Sequence, residues 1–272
     1  MNPSATHSPL PMLFAHANGF PGMSYRSLLT PLQQRFTIHA VERLGHHPDY
    51  PVGANWLALR DELLEEAAAA TGPVIGVGHS MGGVLMAMAA EHAPERFRCV
   101  VMLDPPLMLG VDAWSMKIAK RFGFIDRVTP AGKSKGRRAE WPDREAMANH
   151  LGRRGLFRRF TPEALLDYVE GGTRLREDGS AELLYDPAIE TEIFRHLPDH
   201  LSRLPRRLKV PFAVLVGSDS DLITPRRRRR LAAHGIALDV VPGTHMFPME
   251  HPEETRQALV SMIDRLLAGG RS

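Results

Sequence analysis

The pentapeptide Gly78-His-Ser-Met-Gly82 matches the pattern G-x-S-x-G. An apolar run at residues 73–77 precedes it, and a helix-forming run at residues 83–90 follows it. A serine on such a tight strand-to-helix turn projects its hydroxyl above the sheet, where it can attack a carbonyl carbon. The N–H of Met81, at the helix start, would stabilise the oxyanion. These features predict Ser80 as a nucleophile for acyl transfer; the alternative is a glycine-rich helix start with Ser80 as N-cap only.

The segment His16-Ala-Asn-Gly-Phe-Pro-Gly22 follows the first predicted strand. With the serine turn, it resembles the α/β-hydrolases of the capped, serine-nucleophile kind, and the similarity covers about residues 12–103 and 210–267. In that family this segment is an oxyanion loop, normally His-Gly-x-Pro. An alignment without a gap makes Asn18 the second oxyanion donor, whereas an alignment on the glycine makes it Phe20. We favour Asn18, because it needs no insertion, and expect His16 to brace the loop.

The segment Val216-Gly-Ser-Asp-Ser-Asp-Leu-Ile-Thr-Pro225 resembles the strand-end segment that carries the catalytic acid in this family, where a proline follows the acid by four residues. Asp221 has that spacing, and we predict it as the acid. Asp219 is expected to shape the turn. Asp104, which ends the predicted strand beside the serine turn, is a further possibility with a weaker local context.

The segment Gly243-Thr-His-Met-Phe-Pro-Met-Glu-His-Pro252 resembles the family's histidine loop after the last strand. By position His245 is the base, and His251 is expected to be structural. The order Ser80, Asp221, His245 is the one that this fold uses. A serine hydroxyl is a weak nucleophile, so the histidine must take its proton during attack, and the acid fixes the imidazole tautomer.

Short apolar runs alternate along the chain with amphipathic stretches, and the strands and helices that they form must hold the candidate site residues in place. This alternation predicts a mostly parallel sheet of about six or more strands with helices on both faces. The N-terminal hairpin usual in the family is missing from the residues before the first strand, so we expect a shortened edge. The predicted strands are residues 10–15, 36–41, 73–77, 97–103, 212–216 and 237–241, and the predicted helices are residues 25–34, 56–70, 81–92, 226–233 and 253–267.

About a hundred residues interrupt this alternation of predicted strands and helices. We predict a core of residues 1–105 and 206–272 and an inserted, mainly helical cap or lid of residues 106–205, with a small hairpin at 175–185. Bases dominate the first half of the insertion and acids the second. Either the two halves attract each other or form solvated faces, or the basic half is an anion-binding lid. Lying over the serine, the cap would complete an apolar substrate pocket that includes Phe20, Met108, Trp114, Met246 and Phe247.

Composition excludes several classes of protein. The 272 residues contain 34 Lys and Arg against 31 Asp and Glu, and this near balance gives no indication of nucleic-acid binding. The lone Cys99 cannot form an intramolecular disulfide. We find no signal peptide and no run of about 18 apolar residues, and therefore expect a cytoplasmic protein without membrane partners. The pair His46-His47 lacks a third ligand, so no metal is implied, and no organic cofactor either.

The sequence therefore predicts a serine hydrolase of a small, fairly apolar carboxylic ester or lactone. The same triad could serve cofactor-free perhydrolysis, as in haloperoxidase-like enzymes, or hydrolysis of a carbon–carbon bond. A third possibility is a ligand receptor that keeps the fold without turnover. The oligomeric state is not predicted.

Overall fold

The computed structural model describes residues 9–107 and 109–269 of the chain, without the side chains of residues 111, 112, 128 and 133. Nine strands are found in this part. They are β1 (Leu10–Ala15), β2 (Phe36–Ala40), β3 (Val74–His79), β4 (Phe97–Leu103), β5 (Glu140–Trp141), β6 (Thr173–Leu175), β7 (Ala181–Leu183), β8 (Phe212–Gly217) and β9 (Ala237–Val241).

Six of these strands form one sheet in the order β2-β1-β3-β4-β8-β9. Every neighbouring pair is parallel. The predicted parallel sheet of about six strands is thereby confirmed. Because all strands run the same way, their carboxyl ends share one edge of the sheet, and this is the edge where parallel sheets place their sites.

The helices are of very different lengths. Thirteen α-helices lie within the described residues: α1 (Arg26–Leu29), α2 (Leu57–Ala68), α3 (Met81–His92), α4 (Val111–Arg121), α5 (Ile125–Val128), α6 (Ala131–Ser134), α7 (Arg144–Leu151), α8 (Pro162–Gly171), α9 (Pro187–Arg195), α10 (Leu204–Arg207), α11 (Pro225–Ala233), α12 (Phe247–Glu250) and α13 (Pro252–Gly269). The helix predicted over residues 25–34 is instead α1 flanked by 3-10 turns, Gly22–Tyr25 and Thr30–Gln34.

The side chains of the sheet alternate between two apolar clusters, one on each face. Along β1, Leu13 and Ala15 join the cluster that contains residues of α2 and α3. Met12 and Phe14 join the other, which contains residues of α1 and α13. Strand β3 is buried along its whole length, because helices cover both faces of the sheet. This explains why the central strands are largely apolar.

The insertion between β4 and β8 contains α4 to α10 and a second, three-stranded sheet in the order β5-β7-β6. The predicted hairpin is confirmed as the antiparallel pair β6 and β7. The third strand, β5, was not predicted, because a two-residue strand leaves no periodic pattern. Among the described residues, two ion pairs join a base of the first half to an acid of the second, Lys120 to Asp199 at 3.0 Å and Arg137 to Glu190 at 2.6 Å. Two more join the halves in the opposite sense, Arg176 to Glu140 and Arg195 to Asp126.

No helix among residues 9–107 and 109–269 has both the length and the apolar composition that crossing a membrane requires.

The turn from β3 to α3 requires glycine on both sides of Ser80. A Cβ on Gly82 would lie 2.1 Å from the carbonyl oxygen of Ala15, and a Cβ on Gly78 would lie 2.3 Å from the carbonyl carbon of Gly82. Backbone atoms cannot move aside as a flexible side chain can. The backbones of β1, β3 and α3 therefore approach as closely as they do only because these side chains are absent.

We expect Gly82→Ala to lower the free energy of unfolding by about 3 kcal/mol, since the new methyl group would overlap backbone that cannot shift without disturbing β1. Gly72→Ala is the matched control, because a Cβ there meets nothing within 4 Å; it should change stability by less than about 0.5 kcal/mol. Urea unfolding monitored by circular dichroism measures both values. Equal stability of the two variants would contradict the close approach.

Candidate functional site

Ser80 is held in a conformation that few non-glycine residues adopt. Its φ is 52° and its ψ is −116°, a region that costs of the order of 1–3 kcal/mol. Its N–H donates to the carbonyl of Leu103 at 2.8 Å, and its own carbonyl accepts from Gly83 and Val84 in the first turn of α3. Hydrogen bonds on both sides thus fix the strained turn.

His245 connects this hydroxyl to a carboxylate. Its Nε2 lies 3.0 Å from the Ser80 Oγ, and its Nδ1 lies 2.7 Å from an Asp104 carboxylate oxygen. His245 follows β9, as the histidine-loop resemblance implied, while His251 lies outside this chain of hydrogen bonds. The three side chains have the order and the distances of a nucleophile, base and acid.

The carboxylate at His245 corrects the predicted acid. Asp221 is exposed and Asp219 pairs with Arg159 at 3.1 Å, so neither contacts the imidazole. Strands β4 and β8 are neighbours in the sheet, and an acid at the carboxyl end of either can reach the same point. The spacing to Pro225 was therefore a weaker signal than the position of Asp104 at the end of β4, directly beside the serine strand.

The loop after β8 contributes to the site without providing the acid. The Ser220 hydroxyl donates to the Asp104 carboxylate at 2.6 Å, and the Gly217 N–H points at its other oxygen at 3.4 Å. Asp104 has no exposed surface and a φ of 43°. A buried carboxylate without partners would be costly, so these donors and His245 hold its charge in place.

Two N–H groups are available beside the serine. Within the described residues, the N–H groups of Met81 and Asn18 donate to no protein acceptor, whereas that of Phe20 donates to the Ala17 carbonyl at 3.0 Å. The geometry therefore favours Asn18 over Phe20 as the second donor. A 3.2 Å hydrogen bond from Gly82 to the His16 carbonyl holds the two segments together.

A buried histidine that sequence reasoning did not single out ties three loops together. His79 Nδ1 accepts from the Tyr25 hydroxyl at 2.7 Å, and its Nε2 donates to the His245 carbonyl at 2.9 Å. The Tyr25 hydroxyl accepts in turn from the Ala17 N–H at 3.1 Å. Burial lowers the pKa of His79 well below its ordinary value, and the neutral ring suits one donated and one accepted hydrogen bond. The serine turn, the oxyanion loop and the histidine loop thus share one support.

His16 has the bracing position that was predicted for it. Its Nδ1 donates to the Ala17 carbonyl at 2.8 Å, and its Nε2 accepts from the Leu44 N–H at 2.9 Å. Burial lowers its pKa to about 4. With both nitrogens bonded to backbone, the ring has no free position for proton transfer to a substrate.

A cavity of about 560 Å³ lies beside Ser80 and His245, between the core and the insertion. Of the predicted pocket residues, Phe20 and Met246 line it. Phe247 is fully buried in the core instead, and Trp114 is 65% exposed. Met116 of α4 does line the cavity; two residues along a helix turn a side chain by about 200°, so Trp114 points the other way. Met108 lies outside the described residues.

The lining is mainly apolar, with one buried polar group that the sequence did not reveal. Arg137, Glu190 and Ser134 of the insertion meet in the cavity wall. Ser134 and Arg137 are near neighbours in the chain, but Glu190 is more than 50 residues away and no motif connects them, so only the folded insertion brings the three together. Asp221, the rejected acid, also lines the cavity.

Comparison with known proteins supports the fold. A profile of the alpha/beta hydrolase family matches residues 12–258. No curated protein matches the chain significantly.

Among solved structures, E-2-(acetamidomethylene)succinate hydrolase is 25% identical, with a TM-score of 0.76 over 94% of this chain and 92% of that chain. A thermophilic esterase from Thermogutta terrifontis, with malate bound, is 20% identical, with a TM-score of 0.63 over 96% and 92%. An enol-lactonase from Burkholderia xenovorans is 14% identical, with a TM-score of 0.62 over 96% and 94%. These structural neighbours are hydrolases.

Asp104→Asn should reduce the hydrolytic kcat by about 10³- to 10⁴-fold, because an amide favours the wrong imidazole tautomer and cannot stabilise the imidazolium. Asp221→Asn, the matched control, should cost less than about 10-fold, since Asp221 does not contact His245. Steady-state kinetics on an activated ester, with circular dichroism to verify folding, compare the two variants. A larger loss for Asp221→Asn would restore the acid predicted from the sequence.

Stability should fall as the pH is lowered from about 6.5 towards 4.5. Only the unfolded chain then protonates His16 and His79, and each histidine costs about 1.4 kcal/mol per pH unit. Glu62 acts in the opposite sense: burial raises its pKa to about 7, so its stabilisation is lost as the pH rises from 4.5 to 7. Among these three groups the two histidines outweigh Glu62 by about one proton, and His46 and His200, whose pKa values burial also lowers, act in the same direction as the two histidines.

Urea titrations between pH 4.5 and 6.5 test these signs with two variants. His16→Gln, which keeps an acceptor for the Leu44 N–H, should lower the slope by about one proton. Glu62→Gln should raise the slope by about one proton. An unchanged slope in His16→Gln would show that this ring is protonated in the folded protein.

Proposed function

The chain belongs to the alpha/beta hydrolase family, and from that premise we propose that it hydrolyses a small carboxylic ester or lactone through an acyl-enzyme on Ser80. The observation that carries the proposal is the hydrogen-bonded chain from the Ser80 hydroxyl through His245 to Asp104, next to the cavity. The names of the neighbouring structures, which include an esterase and an enol-lactonase, support the same substrate class.

In the acylation step, His245 Nε2 takes the proton of the Ser80 hydroxyl as the oxygen attacks the ester carbonyl. Asp104 stabilises the imidazolium that forms. The carbonyl oxygen becomes negative and accepts hydrogen bonds from the N–H groups of Met81 and Asn18. His245 then gives the proton to the departing alcohol oxygen, leaving the acyl group on the serine.

Deacylation repeats these steps with water as the nucleophile. His245 accepts a proton from water, the hydroxide adds to the acyl carbon, and the same two N–H groups hold the oxyanion. Return of the proton to Ser80 releases the carboxylic acid. His79 keeps the base in place throughout, since it donates to the His245 backbone carbonyl at 2.9 Å.

The insertion, residues 106–205, acts in this proposal as the cap that shapes the substrate site. Met116, Phe157 and Phe194 contribute apolar surface to the cavity, opposite Phe20 and Met246 of the core. Most ligand pockets combine such a lining with a few polar groups that fix orientation. Selectivity for the acyl or alcohol part would then depend on the insertion and the reaction on the core.

Ser80→Ala should abolish both ester hydrolysis and covalent labelling by a fluorophosphonate, while leaving the fold intact. We expect a loss in kcat of at least about 10³-fold, because triad residues act as a unit. Ser261→Ala, at an exposed position of α13, is the control and should keep both activities. Assays with p-nitrophenyl esters and mass spectrometry of the labelled protein provide the readouts.

Labelling that persists in Ser80→Ala would identify a different nucleophile. If the wild-type protein neither reacts with the fluorophosphonate nor hydrolyses any ester, the ligand-receptor alternative is favoured. Halide oxidation in peroxide and acetate, or cleavage of a vinylogous diketone, with little ester hydrolysis would favour the alternative chemistries on the same triad.

A further inference from the structure

Arg137 brings a positive charge into the wall of the cavity beside Ser80. Among the described residues that line the cavity, it is the one Lys or Arg side chain. The side chain is 21% exposed, and its partner Glu190 is 9% exposed. A largely buried guanidinium is stabilised when its N–H groups find acceptors, either in the protein or in a ligand that enters the cavity.

Part of the guanidinium is left without an acceptor. Nη1 donates to the Glu190 carboxylate at 2.6 Å, and Nη2 donates to the Tyr168 hydroxyl. A guanidinium has five N–H groups. Within the described residues, three of the five therefore have no protein acceptor. A carboxylate is the group that best satisfies two adjacent guanidinium donors, because its two oxygens match their spacing.

The guanidinium is also held rigidly. The other oxygen of the Glu190 carboxylate accepts from the Ser134 hydroxyl at 2.7 Å, so the residue that orients Arg137 is itself fixed. The Arg137 guanidinium lies 6.0 Å from the centre of the Tyr168 ring. Tyr168 is fully buried, and it contacts Phe20 and Phe157 of the cavity wall. Such preorganisation lowers the entropic cost of holding an anion.

The pair lies directly against the oxyanion loop. A Cβ built on Gly19 would be 3.1 Å from the Arg137 Nη1 and 3.0 Å from the Glu190 carboxylate carbon, and the Gly19 φ of +81° also favours glycine. The Asn18 side-chain amide donates to the Glu190 carbonyl at 2.9 Å. The guanidinium is thus next to the loop that carries a proposed oxyanion donor, within reach of a substrate whose carbonyl lies at Ser80.

We propose that Arg137 binds a free carboxylate of the substrate, so that the enzyme prefers esters that carry a second, ionised carboxyl group. This inference rests on the proposed ester hydrolysis. Glu190 neutralises the guanidinium when the cavity is empty and orients it when the carboxylate binds. Asp221 also lines the cavity, but it is exposed, and solvent screens its repulsion.

Kinetic discrimination tests the proposal with matched esters. The mono-p-nitrophenyl ester of adipic acid differs from p-nitrophenyl hexanoate by a carboxylate in place of the terminal methyl group, and 4-acetoxybenzoate differs from its methyl ester in the alcohol part. The measured quantity is the ratio of kcat/KM for the charged ester to that for its neutral partner. Comparison of this ratio between variants cancels the intrinsic reactivity of each ester.

Arg137→Gln should lower the ratio by about 10- to 100-fold in at least one of the two pairs, the effect of a lost charge-assisted hydrogen bond. Glu190→Gln should raise it, because the competing negative charge is gone. Arg138→Gln is the control: it removes the neighbouring arginine, which is exposed and donates to the Glu140 carbonyl, and should leave the ratio unchanged. The double variant Arg137→Gln/Glu190→Gln buries no unpaired charge and should fold even where Arg137→Gln does not.

A purely structural ion pair would lower kcat/KM for charged and neutral esters alike and leave the ratio unchanged, which would overturn the proposal. An equal ratio in the wild type and in Arg137→Gln, for both pairs of esters, would also overturn it.

Binding of adipate to the full-length Ser80→Ala protein, measured by calorimetry, separates this proposal from the proposed reaction. Loss of adipate binding on adding Arg137→Gln supports the carboxylate site even if no ester is hydrolysed. Ester hydrolysis without adipate binding and without a charged-ester preference would leave the reaction standing and refute the site.

Discussion

The site depends on a backbone constraint, the contact of the serine turn with β1 across two glycines. Gly78 and Gly82 have no Cβ atoms, so the start of α3 packs directly on β1 and β3, and Ser80 is forced to a positive φ. This strain is maintained by hydrogen bonds to neighbouring backbone. The same contact brings the Met81 N–H and the oxyanion loop to one side of the hydroxyl. One packing contact therefore fixes both the nucleophile and the proposed oxyanion site.

The carboxylate at His245 shows that the proposed reaction depends on where the acid lies in the fold, whichever segment of the chain supplies it. Strands β4 and β8 are neighbours, and their carboxyl ends both lie near His245. In this protein β4 supplies the carboxylate of Asp104, and the loop after β8 supplies the Ser220 hydroxyl that donates to it. The end of β4 thus provides the negative charge, and the loop after β8 provides a hydrogen-bond donor to it. The loop that resembles an acid-bearing segment supports the carboxylate of another strand.

The sequence predicts the core well because each strand and helix there is long and periodic. The limits of β1, α3, β4 and β9 follow from their apolar runs, since burial on both faces of a sheet leaves few other patterns. The oxyanion loop and His245 follow from local motifs. Asp221, Trp114 and Phe247 were assigned incorrectly, because their roles depend on which strand ends are neighbours and on how a helix is rotated. A short stretch of sequence encodes neither.

The structure of the insertion is the part that local sequence patterns predict least. The insertion also provides polar groups of the cavity wall, Ser134, Arg137 and Glu190. Its basic and acidic halves attract each other through Lys120 and Asp199 and through Arg137 and Glu190. The second pair is different, because it lies in the cavity wall beside the oxyanion loop. A charge pair placed there gains less stability than apolar residues of similar size would. The proposed recognition of a substrate carboxylate gives this pair a role besides stability, since guanidinium donors without a protein acceptor face the cavity beside the oxyanion loop.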